Sequence, residues 1–361
     1  MQSPSQNQTQ RVIGGVFPLE EPASTTQTNQ DWSFLQQGVL HLASARGAFT
    51  LLVRTLRPRR VWLPSYLCSS IVEAFREADT EVVFFPVGRD LRCESAVWLD
   101  RVAPGDFVLR IHYFGFPNSD PVCEEGALRG AWLVDDAAQA LLSDGVGTGA
   151  DFVVFSPRKF VGVPDGGCMI MRHPLPDLPP QFPPASTAWW RKSLSAVTLR
   201  REFDAGSHDR AWFPTFQHAE GQVPIEPQSM SELSYRLLSR GINYTSIASR
   251  RRDNYKLLLE HIGEVAIFPE LLQGVVPLGF PVQIRRRDAI RDALFKEQIF
   301  PPVHWPLDGC VPASFANSHA LTHEIMTLPC DQRYDAEDMR RILEVWHEAN
   351  AHAMTLATTA Q

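Results

Sequence analysis

Two short segments of the chain end in side chains that can do chemistry together. Trp132-Leu133-Val134-Asp135-Asp136-Ala137-Ala138-Gln139-Ala140 is an apolar run that closes on an acid. Asp151-Phe152-Val153-Val154-Phe155-Ser156-Pro157-Arg158-Lys159, followed by Pro164-Asp165-Gly166-Gly167, is a second run that closes on a lysine. Such runs read as strands buried in a parallel sheet, and open α/β sheets gather ligands at the carboxyl ends of their strands. A lysine amine condenses with a carbonyl to an imine, and an acid beside a pyridine nitrogen keeps it protonated so that the ring can accept electrons. That pairing is what a pyridoxal 5'-phosphate (PLP) site requires.

Taken singly, each residue also has a plainer reading. An unpaired buried ammonium is costly, so Lys159 on its own reads more readily as a surface lysine just past a strand. Asp136, before Ala137-Ala138, reads as a helix N-cap. Ser44-Ala45-Arg46-Gly47-Ala48 opens a helix whose N-terminus suits an anion, or is an ordinary capped helix. The Trp189-Trp190 and His304-Trp305 pairs either line a pocket by stacking or simply pack.

The surrounding pattern supplies the elements that position these residues. Strand-like runs occur at Arg60 to Leu63, Thr80 to Val87, Asp106 to Ile111, Ala131 to Asp135, Asp151 to Ser156 and Gly167 to Met171. Helical stretches begin at Trp32 and Ser44 and fill Ser69 to Ala78, so the alternation predicts an α/β layered domain with a mainly parallel sheet. Residues 178–230, rich in proline, read as irregular: a functional loop or an insertion. Beyond them Met230 to Ile262 reads as one or two helices, Phe280 to Ile284 as a strand, and Arg287 to Glu297 and Asp335 to Ala349 as helices. These form a second, smaller α+β domain. The expected division is a flexible N-terminal tail over 1–30, a large domain over 31–240 and a small C-terminal domain over 241–361.

Composition narrows the class. The 361 residues carry 34 basic and 41 acidic side chains, a formal charge of -7, which argues against a general nucleic-acid binder. Arg250-Arg251-Arg252 and Arg285-Arg286-Arg287 read as solvated helix faces. The six cysteines form no Cys-x-x-Cys pair and stand beside no well-spaced histidine, so neither a metal site nor a disulfide framework is expected. No run approaches the ~18 apolar residues of a membrane span, and the polar start lacks the apolar core of a signal peptide. A reduced, cytoplasmic protein with no membrane partner is the expectation.

The order of these segments resembles the DegT/StrS family of PLP-dependent sugar aminotransferases. The resemblance runs from about Leu40 to Trp346 and rests on Val134 to Ala140 and Phe155 to Lys159, with weaker support from Arg251-Arg252-Asp253-Asn254-Tyr255 and Met326-Thr327-Leu328-Pro329. It implies the three-layer PLP-transferase fold of aspartate aminotransferase, a homodimer, and transfer of an amino group from an amino-acid donor, glutamate by expectation, to a nucleotide-linked keto-sugar. Polysaccharide or natural-product biosynthesis is the implied setting. Lys159 matches the lysine that holds PLP and moves a proton, and Asp136 the acid facing the ring nitrogen. Gln139 matches the polar residue near the 3-hydroxyl. Ala45, Arg46 and Gly47 match the loop that contacts the phosphate, and Tyr66 falls in the segment bordering the ring. Sugar dehydratases of the family carry histidine at the lysine position, so Lys159 disfavours dehydration. A non-catalytic PLP-binding or scaffold homologue is the remaining alternative.

Three departures accompany the resemblance. The family's phosphate-binding serine, five residues before the lysine, is Val154 here, whereas Ser156 stands three before and is the substitute expected to contact phosphate. The loop position that usually holds threonine is Arg46, whose guanidinium either pairs with phosphate or points to solvent. The Asn-rich turn that reaches the partner subunit's site is absent around Gln228-Ser229-Met230.

Overall fold

In the computed structural model five apolar runs become parallel strands whose carboxyl ends share one edge. The structure describes residues 11–21, 31–76 and 80–358. The elements are β1 (Ile13–Gly14), β2 (Leu40–Leu42), α1 (Ala45–Leu56), β3 (Arg60–Pro64), α2 (Ser69–Arg76), β4 (Glu81–Phe85), β5 (Phe107–Ile111) and α3 (Pro121–Leu128). They continue with β6 (Trp132–Asp136), β7 (Phe152–Phe155), β8 (Gly167–Met171), α4 (Thr187–Asp204), α5 (Trp212–Glu220), α6 (Glu232–Arg236) and α7 (Tyr244–Ile262). Last come β9 (Phe280–Gln283), α8 (Arg287–Lys296), β10 (Ile299–Phe300), α9 (Ala316–Glu324), β11 (Ile325–Leu328) and α10 (Ala336–Thr358).

The main sheet has seven strands in the order β2-β8-β7-β6-β5-β3-β4. β4, β3, β5, β6 and β7 are parallel, and β8 and β2 add antiparallel pairings at one side. Val and Phe fill β7 without a polar alternate because both faces are covered, and in β5 the one polar residue, Arg110, is buried against Asp135. Ile111 pairs with Asp136, and Asp136 with Val154, so the ends of β5, β6 and β7 are level. α1 packs on β7 and β8, and α3 on β5 and β6. β9 and β11 form a separate antiparallel pair, and the apolar core runs without a break from Trp62 and Val108 to Phe280, Leu328 and Ile342. No helix among the described residues is long and apolar enough to cross a membrane.

Three readings of the sequence change. Part of the expected tail is fixed: Ile13 pairs in parallel with Ile299, Leu19 N–H donates to Val197 O (2.9 Å), and Pro18 crosses so close to Gly162 that a Cβ there would sit 1.6 Å from Pro18 O. Residues 1–10 and 22–30 of that tail lie outside the described residues. The stretch 178–230 is not irregular. Its prolines flank α4, whose buried Trp189, Ser193, Ala196, Val197 and Arg200 recur at helical spacing. The helix expected from Trp32 is only a single 3-10 turn, Ser33–Leu35, followed by Gly38 in the left-handed region and by β2.

The loop after β7 is clamped from both chain ends. Gly162 N–H donates to Glu20 Oε1 (3.1 Å), and Glu20 N–H to Gly162 O (2.8 Å). Gln332 Nε2 donates to Phe160 O (2.6 Å), and Arg251 reaches the same oxygen (3.3 Å). The start and end of the chain are tied as well: Arg11 pairs with Asp338 at 2.7 Å, and Gly14 N–H donates to Tyr334 Oη at 2.6 Å.

Candidate active site

The carboxyl edge of the sheet collects the residues singled out by the sequence. Tyr66 follows β3, Tyr113 and Phe114 follow β5, Asp136 ends β6 with Gln139 close behind, and Ser156 to Lys159 follow β7. A 3-10 turn, Pro157–Lys159, turns the chain at the end of β7, closed by Lys159 N–H donating to Ser156 O (3.1 Å). Lys159 is exposed, not buried as a lysine at a strand end would be. It lies near enough to Asp136, Glu220 and His304 for its charge to act on all three.

The two neighbouring acids do different work because successive strand residues face opposite sides. Asp135 receives Arg110 Nε at 2.8 Å and Nη2 at 3.0 Å, and lies 2.8 Å from His112 Nε2. Asn118 N–H donates to His112 Nδ1 (2.9 Å), so the ring proton sits on Nε2 and points at Asp135. Burial opposes the charge on Asp135, but the His112 and Arg110 contacts outweigh it and hold the carboxyl below its ordinary range. Asp136 has no such partner. Its Oδ1 accepts one N–H, from Ala138 (2.9 Å); burial raises its pKa, and the charge of Lys159 offsets only part of that rise.

A carboxyl with a raised folded-state pKa contributes stability below its unfolded pKa and loses it as pH rises through the folded value. As pH rises through that raised value, Asp136 therefore costs stability in the ligand-free protein. Asp136→Asn keeps an oxygen for Ala138 N–H and is expected to stabilise that form by roughly 0.5–2 kcal/mol, the usual scale for relieving one unfavourable feature. Thermal melts of both proteins without added ligand check this; a lower melting temperature for the variant would show that the charge is well supported.

Beside Asp136, the Gln139 side chain accepts from Phe114 N–H through Oε1 (2.9 Å), while its Nε2 is buried with no partner. A buried acid lacking a direct cation partner and a buried amide donor lacking an acceptor fit a ligand that offers one proton donor and one oxygen. Aromatic rings wall the same region. Trp305 has its ring centroid 5.5 Å from that of Tyr66 and is stacked on Phe114 at 6.4 Å and 16°. Tyr66 Oη donates to His304 O and is thus committed to the backbone. The His304 ring meets Phe114 edge-on, and its Nδ1 lies 3.0 Å from Thr327 Oγ1. Burial, then the Lys159 charge, push its imidazole down to about 3, so it is neutral at physiological pH.

The start of α1 is held tightly by its neighbours. Ser44 caps it by accepting Gly47 N–H (3.0 Å) and donates to Pro224 O (2.6 Å). Residues 224–227 pass so close that a Cβ on Gly47 would sit 2.9 Å from Glu226 O. The Gly-Gly turn serves the same junction, because a Cβ on Gly167 would lie 2.3 Å from the Ser44 carbonyl carbon. Of the expected phosphate loop, Ala45 has no polar side chain, and the N–H of Gly47 is taken by Ser44. Arg46 points to a partner, not to solvent: its Nη2 is 3.6 Å from Glu220 Oε1. Ser156 is buried, and its side chain does not cap the turn that follows. Val154 lies in the core of β7.

Glu220 and Arg158 complete this group, and the sequence reading missed both. Arg158 Nη1 lies 3.1 Å from Glu220 Oε2, while its Nε is buried without a partner. Burial opposes the Glu220 charge, but Arg158, Arg46 and Lys159 together hold the carboxyl below its ordinary range. Adjacency to Lys159 was the available signal for Arg158. Glu220 sits in the stretch read as irregular and carried no signal. The Trp189-Trp190 pair belongs to a satellite cluster with Ala43 and Val223, and Trp189 Nε1 donates to the carbonyl of Ala219 (2.9 Å), the residue before Glu220.

No family model and no curated protein matches this chain. Solved structures do match in fold. DesV of S. venezuelae superposes with a TM-score of 0.63 at 19% identity, covering 86% of this chain and 84% of its own. A DegT DnrJ EryC1 StrS aminotransferase from Brucella abortus gives a TM-score of 0.59 at 17% identity, covering 86% and 85%. The ntda protein of Bacillus subtilis, solved with bound cofactor PMP, gives 0.62 at 15% identity, covering 88% and 74%. At such identities the likeness is one of fold: the chain has the three-layer architecture of the PLP-transferases.

Proposed function

We propose that the protein is a PLP-dependent aminotransferase. The observation that carries this reading is the arrangement at the sheet edge: an accessible Lys159 whose charge reaches a buried, incompletely compensated Asp136, with the unpartnered Gln139 Nε2 beside it. Bound PLP supplies an electron sink for a carbanion next to nitrogen. The chain's own residues do the rest. The Lys159 amine would hold the cofactor and, as the accessible base of the site, would carry the proton that moves during transfer. Asp136 would keep a proton on the ring nitrogen, and its burial excludes the water that would screen it. Gln139 Nε2, buried without a partner, would donate to an oxygen of the bound cofactor. Tyr66, Phe114 and Trp305 would help exclude solvent from the site, and neutral His304 leaves the positive charge to Lys159.

The finer reading is transfer from glutamate to a nucleotide-linked keto-sugar by a cytoplasmic homodimer. It is supported by the fold likeness to sugar aminotransferases and by the aromatic wall, which suits a stacked ring. The test is a half-reaction. PLP-loaded protein mixed with glutamate should lose its visible absorbance and release one equivalent of 2-oxoglutarate per site. A protein that binds PLP, yet releases no keto acid from glutamate or any other common amino acid, is a binder and not a transferase.

A further inference from the structure

Glu220 occupies an unusual place. It is the last residue of α5, where the helix dipole disfavours a carboxylate. What holds it there is Arg46 on one oxygen and Arg158 on the other, with the Lys159 charge added. Three cations around one half-exposed anion leave a surplus of two positive charges. Arg46 lies in the first turn of α1, whose N-terminus adds partial positive charge. Arg158 keeps a buried Nε–H with no acceptor. The hydroxyl that the family places five residues before its lysine is replaced by the core residue Val154, and Gly47 N–H is already bonded. What the described residues do place at this edge is a cationic cradle.

We propose that Arg46 and Arg158 are the phosphate subsite of the Lys159 site, and that Glu220 is a built-in anion that fills the subsite until a phosphate monoester displaces it. This rests on the PLP reading above. A phosphate monoester carries about -1.5 to -2 at neutral pH, which matches the two guanidinium groups once Glu220 has left. Guanidinium forks bind phosphate through paired, charge-assisted hydrogen bonds. Glu220, at 40% the more exposed member of both pairs, regains water when it leaves, and the two guanidiniums exchange one carboxylate for a dianion. The exchange therefore favours the dianion, and Glu220 sets a threshold that weakly charged carbonyl compounds do not cross.

The experiment compares two aldehydes that differ only in the phosphate, PLP and pyridoxal. Each is titrated against wild type, Glu220→Gln, Arg46→Gln and Arg158→Gln, reading the visible absorbance of the lysine-bound form. The quantity of interest is the ratio of the pyridoxal Kd to the PLP Kd. Glu220→Gln should raise this ratio about tenfold, and each arginine variant should lower it at least tenfold. Inorganic phosphate should compete with PLP and leave pyridoxal binding unchanged. Retained pyridoxal binding shows that a variant is folded with Lys159 in place. Equal changes for both aldehydes, or a ratio that Glu220→Gln lowers, would overturn the assignment. If neither aldehyde gives a visible species with wild type, the PLP reading itself fails, a result distinct from any change in the ratio.

Discussion

Replacing Lys159 with alanine is expected to abolish covalent capture of PLP and to slow amino transfer by roughly 10⁴-fold or more, the upper end of what one positioned acid–base group supplies. Two losses combine: the amine that anchors the cofactor, and the base that moves the proton. Lys159→Arg separates charge from chemistry. It keeps a cation beside Asp136, Glu220 and His304, but a guanidinium neither condenses with the carbonyl nor gives up its proton. Both variants should be equally inactive, and only the alanine variant should change the electrostatics of its neighbours. The check is borohydride reduction of the loaded protein followed by mass spectrometry of its peptides. The chain has only four lysines, Lys159, Lys192, Lys256 and Lys296, so the modified peptide is unambiguous. An adduct on any of the other three, persisting in Lys159→Ala, would remove Lys159 from the centre of the site.

Asp135→Ala is expected to cost roughly 3–5 kcal/mol of stability, the penalty for stripping one partner from a buried ion pair. Arg110 would keep Glu124 (2.9 Å) and Thr148 O (2.9 Å) but lose its two-pronged contact, and His112 Nε2–H would lose its acceptor. Against a typical total of ~5–15 kcal/mol, this is a large fraction. The pH dependence has a defined sign. Because the folded Asp135 pKa is depressed, its contribution is present above the unfolded value of about 3.9 and is lost as pH falls through the lower folded value. Wild type should therefore lose stability on acidification below about pH 4 more steeply than Asp135→Ala does. Urea midpoints across pH 3–7 measure both effects. A midpoint for Asp135→Ala equal to wild type at pH 7 would show that the Arg110 network does not hold β5 to β6. The contrast with Asp136, one residue on, is the point: one acid supports the sheet, and the other is kept at the sheet's expense.

How much of this was legible in the chain depends on how local each feature is. β7 is a continuous apolar run, β5 and β6 are apolar but for Arg110 and the two closing acids, and such runs need little context to be read as buried parallel strands. Asp136 and Lys159 were legible because both terminate such runs, and Ser44 because a serine before a helical stretch is a local cap signal. The helix α4 was hidden because prolines on both sides of it dominate the composition of residues 178–230, although its own buried positions follow helical spacing. Gly38 and the pairing of β2 with β8 turned an apparent helix after Trp32 into a turn and a strand, a choice made by tertiary contact and not by periodicity. Glu220 was invisible for a deeper reason. Its role depends on Arg46 and Arg158, brought to it across 174 and 62 positions of sequence, and no local rule predicts such a meeting.

The clamp on the loop after β7 sets when the site comes into being during synthesis. Phe160, next to Lys159, takes a hydrogen bond from Gln332, and Gly162 exchanges two with Glu20. The first strand of the chain waits for Ile299 as its partner, and Arg11 for Asp338. A ribosome delivers residues in order, so the parallel strands through β7 can assemble while the fastener of their most reactive loop is still untranslated. The nascent chain thus carries a lysine whose surroundings are unfinished until almost the last helix has emerged. On the proposed function, covalent capture of a cofactor by the clamped loop would in this sense be a post-translational event, governed by the closing of the two ends upon each other.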